Sequence, residues 1–172
     1  MENFTNETID TTQLPKFEEV LYSKLHASYW KIILIQIAIV FVIISAGFVL
    51  LINNAQEEIA PFQIKIGLGI LSIFILIVWF SRIGFNKKGF AFRQHDVLFR
   101  HGVIATNTLV IPYNRIQHVS LHEGIISRFY DLAKIEIFTA GGNSSDIEIP
   151  GIEKTQAENI KQLLMGRIQK EL

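Results

Sequence analysis

The run IILIQIAIVFVIISAGFVLLI, residues 32–52, contains no charged side chain, and Gln36 and Ser45 are its clearly polar members. At a rise of about 1.5 Å per residue it spans roughly 31 Å, the thickness of a bilayer's hydrocarbon core. Sixteen of its twenty-one residues are Ile, Leu, Val or Phe. At about −0.3 to −0.6 kcal/mol each, these contribute roughly −5 to −9 kcal/mol toward insertion, which one Gln and one Ser do not cancel. The competing reading is a buried helix of a soluble core. A chain of 172 residues can hardly cover such a helix on every side.

Downstream, a second apolar stretch runs from Phe62 to about Ile83, with an uncharged centre from Ile66 to Ser81. Lys65 and Arg82 at its ends can snorkel to the headgroups. Tyr29 and Trp30 before the first span, and Trp79 and Phe80 near the end of the second, stand where interfacial aromatic belts form. Residues 30–83 are therefore expected to be a transmembrane helical hairpin, with spans at about 32–52 and 62–83 and an outer loop at 53–61. Pro61 suits the start of the second helix, where its missing N–H costs nothing. The length of the first apolar run, and the thirty or so residues before it, set it apart from a cleaved signal peptide.

The connector carries Glu57 and Glu58 and no Lys or Arg, whereas Lys16, Lys24 and Lys31 precede the first span and Arg82, Lys87, Lys88, Arg93 and Arg100 follow the second. Positive flanks stay inside, so both termini are expected in the cytoplasm. No Asp, Glu, His or Arg lies at mid-membrane depth to mark an ion path. Gly67, Gly69 and Ser72 would admit a close helix neighbour, although no GxxxG motif is present.

The chain as a whole is not charged in one sense: 16 Lys and Arg balance 16 Asp and Glu, which argues against nucleic-acid binding. The absence of Cys excludes disulfides, thiol nucleophiles, iron–sulfur clusters and Cys-based zinc sites. Residues 1–29 form a polar N-terminal segment. Met1–Gln13 is expected to be disordered, and from Leu14 onward Phe17, Val20, Leu21 and Leu25 fall at helical spacing, which predicts a short amphipathic helix on the membrane.

From residue 86 to 172 the pattern changes to short β-rich runs broken by Gly, Asn, Asp and Pro. Strands are expected near Gly89–Gln94, Val97–His101, Val103–Ile111, Ile116–His122, Leu132–Thr139 and Asp146–Ile149. Lys134-Ile135-Glu136-Ile137 and Asp146-Ile147-Glu148-Ile149 alternate cleanly, the signature of a half-buried antiparallel sheet. Gly141-Gly142-Asn143 marks a turn. Pro150 and Gly151 read as a break, after which Thr155 and Glu158 have capping-box spacing and Ala157, Ile160, Leu163, Leu164 and Ile168 line one helical face. The fold class is thus membrane-anchored α+β: a hairpin, then a bent sheet or partly open barrel closed by a C-terminal helix.

Several runs carry a family likeness: Arg100-His101-Gly102-Val103-Ile104, Val110 through Val119 (VIPYNRIQHV), Arg128 through Ala133 (RFYDLA), Ile137 through Gly142 (IFTAGG) and Ile149-Pro150-Gly151-Ile152. Over roughly residues 25–170 the chain resembles the bacterial pleckstrin-homology (PH)-like domain of the YdbS-like membrane proteins. Asp131 stands where that pattern usually has Gly, and Asp tolerates a left-handed turn better than most residues. The resemblance implies a seven-stranded bent sheet capped by a C-terminal helix. It also implies a bacterial inner-membrane protein acting beside a larger multi-span relative with PH-like domains, in envelope maintenance or stress resistance. It implies no enzymatic activity, no cofactor and no catalytic residue.

The residues themselves agree on chemistry. His118 and His122 on one strand lie about 13 Å apart, too far to share a metal ion. Ser127, Ser144 and Ser145 belong to no GxSxG elbow, and Glu123, Asp131, Glu136 and Glu148 are scattered over different strands. No catalytic, cofactor or metal residue is assigned. Arg82, Lys87, Lys88 and Arg93 are candidates for lipid-headgroup contact, or they only set topology. From Arg82 onward, twelve Lys and Arg face nine Asp and Glu, an excess of three. Tyr113, Arg115 and Gln117 are candidates for a partner surface, or a structural corner. The partners expected are the lipid bilayer and a related multi-span PH-like protein, with homo-oligomerisation open. The functions weighed are a non-enzymatic interaction module, an anionic-lipid sensor and, least supported, a small transporter or channel subunit.

Overall fold

The computed structural model describes residues 19–54, 61–140 and 146–171, with side chains as far as Arg167. Met1–Gln13 and the Gly141-Gly142-Asn143 turn lie outside the described residues, as does most of the expected outer loop.

Two long helices, α1 (Ser28–Asn54) and α2 (Gln63–Lys87), form the hairpin. At about 1.5 Å per residue they are roughly 40 and 38 Å long, more than a hydrocarbon core needs. The surplus lies at one end: α1 begins four residues before Ile32 and α2 continues four past Ile83. Val42, Ile43, Leu50, Leu68, Ile73 and Ile75 are all exposed. A soluble core helix hides such side chains; these are placed for lipid. The helices meet where Phe41 and Phe74 pack edge-on, 4.6 Å between ring centroids. A Cβ at Gly67 would meet the Phe48 ring at an ordinary contact distance of 3.7 Å and one at Gly69 would meet nothing within 4 Å, so neither glycine is required for the helices to approach. The Ser72 hydroxyl donates to the Leu68 carbonyl of its own helix.

Beyond the hairpin stand two antiparallel sheets. The first, in the order β1-β2-β3-β4, contains β1 (Ser23–Lys24), β2 (Gly89–Phe92), β3 (Asp96–His101) and β4 (Asn107–Pro112). The second contains β5 (Ile116–His122), β6 (Leu132–Thr139) and β7 (Ile147–Glu153) in that order. The expected seven strands are therefore present, but one comes from the N-terminal side of the membrane helices. Ser23 pairs with Phe90 and Lys24 with Gly89, so the hairpin is an insertion between two neighbouring strands of one sheet. Where residues 19–27 are described, this strand replaces the amphipathic helix that the spacing predicts. Leu25 is buried in the β core and Leu21 is exposed; tertiary pairing overrides the local period.

The alternating runs behave as their pattern requires. Ile135, Ile137, Ile147 and Ile149 are fully buried, and with Val97, Phe99, Ile116 and Val119 they fill the space between the sheets. Glu136 and Glu148 fall directly opposite each other. That repulsion is relieved by Lys134, whose Nζ lies 2.6 Å from Glu136 and 3.1 Å from Glu148.

Pro150 and Gly151 do not end the strand. β7 continues through them to Glu153. Ile135 pairs with Ile149 and Ala133 with Ile152, so these two residues face Lys134 alone in a β-bulge. Gly151 adopts φ +65, and Pro has no N–H to lose from the ladder. The tail helix α4 (Lys154–Glu171) then starts before Thr155, which lies in its first turn rather than at its cap. The Thr155 hydroxyl donates to Glu153 instead. Ala157 and Leu164 are fully buried against the sheet, whereas Leu163, expected on that face, is exposed.

The strand expected from Val103 begins at Asn107. Gly102 has φ +125, and the loop after it turns toward the hairpin. Lys87 Nζ donates to the Val103 carbonyl at 2.6 Å, and a Cβ at Gly84 would sit 3.1 Å from Val103 Cγ2. Asp131 adopts φ +52, the left-handed turn its sequence position suggests.

Candidate functional site

One contact closes the base of the hairpin and two more tie it to the domain. An aromatic collar links the helices: Trp30 packs on Phe85 at 5.9 Å, and the Arg82 guanidinium stands 4.9 Å over the Trp30 ring and 5.5 Å over Phe85. A backbone tie links the segment just before α1 to β7, where the His26 N–H donates to the Gly151 carbonyl at 2.8 Å. The Lys87–Val103 hydrogen bond holds α2 to the β3–β4 loop.

Beside this junction lies a pocket of about 430 Å3. Tyr29, Ile32 and Gln36 of α1 form one wall; Lys88, His101, His122, Ser127, Lys134 and Glu148 bring its polar groups. Gln36, an unexplained polar residue inside an apolar span, faces this space. Lys88 is half-buried, and its desolvation lowers its pKa. His101 stacks against Phe99, and its buried Nδ1 has no hydrogen-bond partner. Glu148 and Lys134 pair across the wall.

A second concavity, about 420 Å3, lies at the open corner between the sheets. The edge strand β4 lines it with Leu109, Val110, Ile111 and Pro112, and Arg115 and Asp146 face them. Asp146 accepts from the Thr139 hydroxyl at 2.6 Å and its N–H at 2.8 Å; these bonds hold its pKa down, with a smaller contribution from Arg115.

The candidate residues separate accordingly. Arg82, Lys87 and Lys88 lie at the membrane end. Arg93 does not: four residues of β2 carry it to the distal hairpin, where it pairs with Asp96 at 2.5 Å. Tyr113 offers almost no surface to a partner. It is buried, its OH donates to the Arg93 carbonyl at 2.7 Å and its N–H to His95 at 3.0 Å, so it locks the hairpin to the turn between the sheets. Arg115 and Gln117 are exposed, the latter at a register shift in β5. Among the described residues no three His, Asp or Glu side chains converge as metal ligands. His118 stacks on Phe138 at 4.1 Å.

A two-helix membrane hairpin carrying a four-stranded and a three-stranded antiparallel sheet and a closing C-terminal helix is a membrane-anchored PH-like protein. The bacterial PH domain family model matches residues 28–168, and the chain belongs to that family. The match includes both membrane helices and starts after β1. The chain is 31% identical over 103 residues to the UPF0699 transmembrane protein YdbT of Bacillus subtilis (strain 168), covering 58% of this chain and 21% of that protein. It is 28% identical over 68 residues to the UPF0699 transmembrane protein YdbS of the same organism, covering 40% of this chain and 41% of YdbS. The matched region thus spans less than half the length of either relative. No solved structure matches the chain.

Proposed function

We propose that this chain is a non-enzymatic protein of the bacterial inner membrane, with both termini cytoplasmic. It presents its PH-like domain to a larger, multi-span PH-like protein, in the service of envelope maintenance. The observation that supports this reading is the free edge of β4. The sheet order leaves β4 unpaired on its outer side among the described residues, with Leu109 and Val110 exposed beside the cleft at Arg115. An edge strand next to an apolar cleft accepts an extended segment through backbone hydrogen bonds, with side chains entering the cleft. Two membrane anchors confine both partners to one surface, which raises their effective concentration and lets a modest edge contact suffice.

The test is co-purification of the tagged chain with a co-expressed larger relative in mild detergent. Recovery of both is expected, and Val110→Asp combined with Arg115→Glu should lower the yield of the complex at least about tenfold without releasing the chain from membranes. A lone monomer in several detergents, or self-association through the same edge, overturns the reading.

A further inference from the structure

We propose that the juxtamembrane pocket binds the phosphate group of an anionic lipid headgroup, drawn from the leaflet on the domain side of the membrane. This is separate from docking at β4: the pocket and the corner cleft share no lining residue.

The chemistry of the walls points to an anion. Lys88 is a half-buried cation with no acidic partner among the described residues, and an unpaired charge away from water is costly unless something neutralises it. His101 lines the same space, and its orphaned Nδ1 is a second unused polar group. Lys134 is already engaged, shared between Glu136 at 2.6 Å and Glu148 at 3.1 Å. Counting Glu136 beside Lys134, the two Lys and two Glu balance when His101 and His122 are neutral, so it is the placement of Lys88, away from both carboxylate pairs, that favours an anion. Ser127 and Tyr29 add hydroxyls, and Gln36 an amide. A volume of about 430 Å3 suits a headgroup-sized ligand.

Position favours a lipid as the source. The α1 wall is the first turns of a membrane helix, so the pocket opens where hydrocarbon gives way to headgroups. Two exposed apolar projections flank the helix bases. Ile104 is 91% exposed on the β3–β4 loop, which Lys87 ties to α2. Ile125, 85% exposed, begins the short helix α3 (Ile125–Arg128) and Phe129, 82% exposed, follows it; this helix packs against α1 and supplies Ser127 to the pocket. Apolar side chains this exposed beside membrane spans belong in the acyl–headgroup boundary, and their burial there seats the pocket mouth at phosphate depth.

The experiment uses the full chain in neutral detergent, titrated with short-chain phosphatidylglycerol, short-chain phosphatidylcholine or inorganic phosphate, with bound lipid counted by native mass spectrometry. One saturable phosphatidylglycerol is expected, bound at least about tenfold more tightly than phosphatidylcholine. Lys88→Gln and, independently, His101→Gln should each weaken it about tenfold, whereas Lys65→Gln at the opposite end of the hairpin should not. Thermal melts identify any variant that fails to fold, and the other then decides. Wild-type binding by both folded variants, or no saturable binding, overturns the site. Inorganic phosphate competing at the same concentration overturns the lipid as its source.

Discussion

Gly102→Ala is expected to cost about 3 kcal/mol or more, a large share of the 5–15 kcal/mol that stabilises an ordinary domain. Two effects combine. Gly102 has φ +125, a conformation closed to side-chain-bearing residues at a cost of about 1–3 kcal/mol. A Cβ there would also overlap the Ala105 carbonyl oxygen, which is backbone and has no rotamer to escape into. Relief requires the 103–106 loop to move, and that loop carries the Val103 carbonyl that Lys87 holds. A thermal melt in detergent should fall by more than about 10 °C. A melt like that of the unaltered chain would show that the β3–β4 loop is not bound to α2 as described.

Gly151→Ala should have the next largest effect, about 2–4 kcal/mol, by a different route. Its φ of +65 costs about 1–2 kcal/mol for a residue with a Cβ. That Cβ would come within 2.5 Å of Tyr29 Cγ and 2.6 Å of Tyr29 Cβ, in the first turn of α1. The overlap pushes the membrane helix off β7 exactly where His26 is bonded to the Gly151 carbonyl, so domain and anchor loosen together. A lowered melting temperature with faster amide exchange at residues 25–29 is expected. Gly166→Ala is the internal control: nothing lies within 4 Å of its Cβ position, and it sits in α4. Alanine there should stabilise by up to about 1 kcal/mol. Equal effects at 151 and 166 would contradict the close approach at Tyr29.

Much of the fold was legible because its signals are local. The spans announce themselves through uninterrupted apolarity. β5 and β6 match the expected Ile116–His122 and Leu132–Thr139 because their alternation is the alternation of buried and wet faces. What stayed hidden depends on distant partners. Ser23–Lys24 is a strand only because Phe90 and Gly89 pair with it across the whole hairpin, and no two-residue pattern can report that. Pro150-Gly151 reads as a break until Lys134 is placed opposite it. Tyr113 looks like a motif residue for a partner, and only the packed turn reveals that its hydroxyl serves Arg93. The pocket was the least visible part, since Gln36, Lys88, His101 and Lys134 come from four separate elements or their flanks. Its one local trace was Gln36, a polar residue without a role in an apolar run.

One β domain, built from strands on either side of the two helices in sequence, sits at one end of a hairpin whose turn emerges on the other side of the bilayer. The chain has no cysteine, so single cysteines can map it directly. Leu21→Cys, Phe62→Cys and Gln156→Cys, each in sealed membrane vesicles of known orientation, would be exposed to a membrane-impermeant maleimide. Positions 21 and 156 should label from one side and position 62 from the other. Labelling of all three from the same side would contradict the two crossings on which the domain, the pocket and its proposed ligand all depend.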